Sequence, residues 1–257
     1  MNQLRKYYDE KGIAAMNFTC KNKGSCMRNS VNFLSPREAC VGTGYDDYIL
    51  PRVLFISLDA ANSYPSNEPV HRTLGAMQHV HETTCVPSKI KRSPHWKWTH
   101  RFAFETLKGI APKWGITLKY DDICKYFAHT NSAKCKFDTE AIGEGPSRVF
   151  KKCQQYIPEE VRILHPDVIF TQGAKAAESI RGMAPAYKVT NPDNPKYWYE
   201  IINMNDRKVI KFITPHSGNR KDFNEQRREG VFGWYLAEAQ KFLQSWVQSD
   251  IARNEVE

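Results

Sequence analysis

The chain lacks any apolar run long enough to cross a bilayer, which argues against a helical membrane protein. Its first residues, Met1-Asn-Gln-Leu4-Arg-Lys-Tyr7-Tyr8, lack the apolar centre of a secretory leader. No internal repeat or low-complexity tract is present, so a solenoid or a disordered tail is not expected. The seven cysteines are odd in number, and their spacing is not that of a small disulfide scaffold. These absences together point to a cytoplasmic protein with reduced thiols and no membrane partner. In that compartment clustered cysteines more often hold a metal or a cluster than form disulfides.

Against these absences stand a length of 257 residues and a hydrophobic content of 41%, enough for one sizeable core. The formal charge is +9, an excess that favours a polyanionic partner such as nucleic acid. The stretch from Cys124 to Gly173 organises the rest, because it reads strand, cysteine-bearing segment, helix, strand. Arg52-Val-Leu-Phe-Ile-Ser57, Tyr126-Phe-Ala-His129, Val168-Ile-Phe-Thr-Gln172 and Val209-Ile-Lys-Phe-Ile-Thr214 are four apolar runs of strand length. Helices are expected over residues 1–16, from Thr99 or His100 to about Ile110, as one piece from Pro146 to Leu164, over Ala174–Ile180, and over 224–247. Residues 62–98 show no clear periodicity and read as an insertion in a single domain spanning 1–257, while 183–206 read as a polar excursion. Strand–helix alternation implies an α/β fold with a parallel sheet, and in such sheets function gathers beyond the carboxyl ends of the strands.

Four polar residues follow the four runs: Asp59, Asn131, Gln172 and His216. A carboxylate, two carboxamides and an imidazole on one rim suit hydrolysis beside a hydrogen-bonding pocket. Each alone is also an ordinary loop former or cap. Cys20, Cys26, Cys135 and Cys153 flank polar segments, and four thiolates suit a tetrahedral zinc or a [4Fe–4S] cluster. Their spacings do not separate the two, and Cys40 is a reserve ligand. Cys124 reads as a small core residue. Between Lys89 and Arg101, cations alternate with rings, among them Lys97 and Trp98, as a nucleic-acid contact would require or as an insertion packed on the core would also show. His129 and His165 lie in or beside apolar runs and read as structural.

These residues resemble the uracil-DNA glycosylase superfamily, and most of all its iron–sulfur branch. The specific part is Thr130-Asn131-Ser-Ala-Lys134-Cys135, followed by Cys153 and by Pro166-Asp-Val-Ile-Phe-Thr-Gln-Gly173. Val53-Leu-Phe-Ile-Ser-Leu-Asp59-Ala-Ala61 is similar to the first catalytic motif, and Thr214-Pro-His216 leading to Arg220 is similar to the second. The resemblance implies a three-layer α/β/α sandwich on a central four-stranded parallel sheet. It implies a monomeric DNA glycosylase that flips a base out of the stack and hydrolyses its bond to the sugar, in base-excision repair or in defence against modified phage DNA. Asp59 and His216 would be catalytic, and Asn131 would read the base edge. His71 would lie near the stacking position. Lys97, Arg101 and Arg220 would contact DNA. Cys20, Cys26, Cys135 and Cys153 would hold the cluster. Ala61 stands where the superfamily's principal uracil branch places a tyrosine that excludes a C5 methyl. A C5-modified pyrimidine is therefore an expected substrate beside uracil. The competing readings are a non-catalytic, zinc-containing nucleic-acid-binding module and a hydrolase of small nucleosides.

Overall fold

The computed structural model describes residues 1–28, 33–59, 68–90, 93–137, 145–183, 185–216 and 225–254, and for a few of these, Asp59 among them, only the backbone. The described strands are β1 (Phe33–Leu34), β2 (Cys40–Val41), β3 (Val53–Asp59), β4 (Phe127–Ala133), β5 (Lys136–Phe137), β6 (Val168–Gln172), β7 (Pro185–Thr190), β8 (Trp198–Met204) and β9 (Arg207–Thr214). The helices are α1 (Asn2–Glu10), α2 (Lys23–Met27), α3 (Thr43–Asp46), α4 (Leu74–Thr83), α5 (Pro94–Lys108), α6 (Gly145–Cys153), α7 (Ile157–Leu164), α8 (Ala174–Glu178) and α9 (Glu225–Asn254).

The fold is mixed α/β, and its main sheet has seven strands in the order β2-β4-β3-β6-β9-β8-β7. The pairs β4–β3, β3–β6 and β6–β9 are parallel, while β2 on one flank and β8 and β7 on the other run antiparallel. The sheet is thus wider than the four strands expected. Of the three added strands, β2 comes from Cys40–Val41, and β7 and β8 come from the supposed polar excursion, 183–206. There Asn205 and Asp206 both have positive φ, the geometry of a two-residue hairpin turn, and they join Met204 to its partner Arg207. Asn and Asp tolerate this left-handed region because their short polar side chains bond locally.

β3 is apolar on both faces because both are covered: Val53, Leu54, Phe55 and Ile56 are all fully buried. Leu54 and Ile56 pack with α1, α7 and α8 residues such as Leu4, Val161 and Ala176. Val53 and Phe55 pack with α5 and α9 residues such as Phe102, Leu107, Phe232 and Tyr235. Across the second face, Phe55, Phe170 and Phe212 stack at centroid spacings of 5.2 and 4.9 Å. Each such ring contributes about 1.5–3 kcal/mol on burial. No helix among the described residues is long and apolar enough to cross a membrane.

Several helices differ from expectation, among them α1, which ends at Glu10 rather than near residue 16. α5 starts at Pro94 because Ser93 caps it, its hydroxyl accepting from the Trp96 N–H, with proline in the first turn. α4 lies inside the segment read as aperiodic, and Thr73 caps it through the Ala76 N–H. The single helix expected over 146–164 is two, α6 and α7, the second restarting with Pro158 in its first turn.

Candidate functional site

The parallel pairing brings the carboxyl ends of β3, β4, β6 and β9 to one edge. Asp59 is the last residue of β3 and pairs with Ala133. Asn131 is not past the end of its strand, as the sequence suggested. It sits inside β4 opposite Ser57 and is 3% exposed. Gln172 ends β6, and the next residue, Gly173, has φ +106°, a region that strains any side-chain-bearing residue. A Cβ there would meet the Cβ of His216 at 3.4 Å, an ordinary van der Waals contact, so the backbone conformation and not crowding favours glycine. His216 is exposed, and its ring stacks on that of His95 at 6.2 Å.

Beneath this edge runs a hydrogen-bonded chain whose polarity can be worked out. The Ser57 hydroxyl donates to Gln172 Oε1 at 2.6 Å, and having only one proton it must accept from His129 Nε2 at 2.7 Å. His129 is therefore the neutral Nε2–H tautomer, and burial pushes its pKa well below the usual value. Gln172 Nε2 donates to Thr99 Oγ1 at 2.7 Å, and Thr99 donates to the His95 carbonyl at 2.9 Å. The chain fixes the Gln172 carboxamide and ties β3, β4 and β6 to α5. Burial, and next the nearby His216, lower the His95 pKa to about 4. His95, Ser57 and Thr99 were missed from the sequence. The Ser93-Pro94 helix start was the available signal for His95.

A second network holds β4 between Asn131 and Cys135. Lys134 and Glu160 form an ion pair at 2.5 Å, 1% and 0% exposed. Lys134 also donates to Thr130 Oγ1 at 2.6 Å, Thr130 donates to Glu160, and the Tyr8 hydroxyl donates to Glu160 at 2.8 Å. β4, α1 and α7 are thereby locked together.

Cys26, Cys135 and Cys153 gather at the end of this strand, and Cys20, which packs in the neighbouring cluster with its Sγ 3.2 Å from the Tyr156 hydroxyl, acts electrostatically on Cys135. Cys26, Cys135 and Cys153 share one buried cluster with Val149 and Phe150. Burial first, then the thiols of Cys153, Cys26 and Cys20, push the Cys135 pKa well above its usual value. Burial likewise raises Cys153 to about 11, opposed by N–H groups of Lys134 and Cys135. The Lys134 N–H donates to Cys153 Sγ at 3.4 Å, and the Asn22 N–H to Cys20 Sγ at 3.4 Å. Among the described residues no three His, Cys, Asp or Glu side chains form a group that could hold a metal ion. A single zinc needs four sulfurs about 3.8 Å apart. The fit is thus to the donor chemistry, four thiols with N–H groups aimed at sulfur, and not to a preformed single-ion cage. Cys40 lies in β2, opposite His129, and Cys124 is fully buried in the core with its Sγ 3.5 Å from His100 Nε2.

The other expected contacts are scattered. Lys97 is exposed, 5.6 Å from the Trp98 ring centre. Arg101 makes a two-pronged ion pair with Glu229 at 2.5 and 3.1 Å and lies over Trp98 and Phe232, clasping α5 to α9. His71 is exposed on the turn Pro69–Arg72. Ala61 and Arg220 lie outside the described residues. A cavity of about 610 Å³, lined by Tyr45, Asp46, Arg52, Arg162 and His165 among others, opens at the opposite, amino-terminal edge and contains none of the expected site residues. Compared with known proteins, the chain matches no family model and no curated protein.

Proposed function

We propose that the chain is a DNA glycosylase acting on uracil or a C5-modified pyrimidine. The observation that supports this most is the shared edge: Asp59 and His216 stand at the ends of parallel strands on one edge, Asn131 is buried just inside the end of β4, and a chain of hydrogen bonds runs beneath them. The reading includes a three-layer sandwich built on the four parallel strands, DNA as partner, action as a monomer and a cytoplasmic setting. The net charge of +9 suits the DNA backbone.

In this reading the flipped base meets the Asn131 carboxamide, whose N–H donors and carbonyl acceptor match a pyrimidine edge. The bond between base nitrogen and sugar C1′ breaks, and its electron pair leaves with the base. His216 donates a hydrogen bond to the oxygen on which that charge collects. Asp59 orients the water whose oxygen bonds to C1′ and opposes the sugar's positive charge. Cys20, Cys26, Cys135 and Cys153 would hold a [4Fe–4S] cluster, or zinc in its place, which would supply rigidity and no chemical step.

The test is incubation with single- and double-stranded DNA carrying uracil, thymine, 5-hydroxymethylcytosine or its glucosylated form, followed by alkali. Breaks at one base are expected, and cleavage of uracil alone would remove the C5-modified class. Salt-sensitive binding without breaks at any base would replace this reading with the non-catalytic binding module.

A further inference from the structure

Two arginines are buried beside the four-cysteine pocket, and among the described residues neither is paired with a carboxylate. Arg72 is 1% exposed and Arg37 is 4% exposed. Arg72 Nη2 and Arg37 Nε and Nη2 have no hydrogen-bond partner. Among the described residues, Arg72 Nε donates to the Pro36 carbonyl at 3.4 Å. The backbone places both arginines against the pocket: the Arg37 N–H donates to the Lys134 carbonyl, adjacent to Cys135, and the Glu38 N–H donates to the Arg72 carbonyl. Arg72 acts electrostatically on Cys135, while Arg37 acts on Cys40 both electrostatically and through a side-chain hydrogen bond. The buried carboxylate next to Arg37 is already engaged, Glu38 accepting from the Ala15 and Leu74 N–H groups at 2.8 and 2.7 Å, and Glu160 Oε1 holds Lys134.

Two buried cations that repel one another and leave N–H groups unmet are strongly destabilising unless a negative group compensates them. Burial and the neighbouring Arg37 already push the Arg72 guanidinium down to about 10. Four thiolates around Zn²⁺ or around a [4Fe–4S]²⁺ core carry a net charge of −2 in either case. We infer that Arg72, with Arg37 behind it, is the buried counter-charge of the metal–thiolate centre formed by Cys20, Cys26, Cys135 and Cys153. This rests on the cofactor reading given above, but not on which metal is bound or on the glycosylase activity.

The test is metal retention by the full chain, loaded anaerobically with iron and sulfide or with zinc alone, then exposed to excess chelator. Bound metal is read by elemental analysis. Arg72→Gln is expected to lose metal about tenfold faster than wild type, and Arg72→Glu faster still. Arg72→Lys is expected to stay within about twofold of wild type. Arg37→Gln, at the second cation, shows the same direction and serves if Arg72→Gln does not fold. Retention ranked by size, with Lys as poor as Gln, overturns the inference, because a merely structural arginine would behave that way. Wild-type protein that takes up neither metal overturns the cofactor reading itself, a result distinct from equal retention by all variants.

Discussion

At the scale of single residues, Ser57, Gln172, Thr99 and His129 are joined in one hydrogen-bonded chain beneath the strand ends. His216 stands exposed above them, and Asp59 ends the central strand. Asp59→Asn and His216→Ala are each expected to slow base release by about 10²–10³-fold while DNA affinity stays within a few-fold, since loss of one transition-state contact costs that much. Single-turnover release and a binding titration on the same oligonucleotide check it. Full activity in both variants would move the chemistry to other residues.

At the scale of elements, β4 links the two parts of the proposed site. It carries Asn131 toward the rim and passes directly into Cys135, and the Lys134–Glu160 pair between them pins the strand to α7. Glu160→Gln leaves the Lys134 charge buried without its partner, which is expected to cost about 3–5 kcal/mol, whereas the double change Lys134→Met with Glu160→Gln recovers most of it. Urea midpoints of the three proteins measure this. A single variant as stable as wild type would show that the pair is not holding the strand.

At the scale of the whole molecule, an unusual share of the histidines is buried on one side of the sheet. Burial lowers His81 to about 3 and His95 and His100 to about 4, and holds His129 well below its usual value. The unfolded chain therefore binds more protons than the native one below about pH 6.5. Stability is full above that pH and falls as the pH drops from about 6.5 toward 4, by up to about 1.4 kcal/mol per pH unit for each histidine. Burial raises the Glu38 and Asp167 carboxyls, which oppose this only near the acid end. Urea midpoints at pH 7.5, 6 and 5 are expected to decrease in that order. A flat series would show that these rings take up protons equally in the native and unfolded states.

The sequence by itself determined the four central strands, the amphipathic first and last helices and the gathering of polar residues at strand ends. Each of these rests on local periodicity: a continuous apolar run such as Val53–Ile56 has only a doubly covered strand to occupy. It did not reveal the hairpin strands β7 and β8, because β7 is an exposed edge strand whose mixed polar sequence carries no burial signal. Nor did it reveal the start of α5, where a Ser-Pro cap was the clue and the scattered cations masked it. Only the tertiary structure decided that His95 stacks on His216, that Arg101 is held by Glu229 and that Arg37 and Arg72 are buried beside the cysteines. These are contacts between segments far apart in the chain. Their energies come from desolvation and pairing in three dimensions, which no local pattern of residue types encodes.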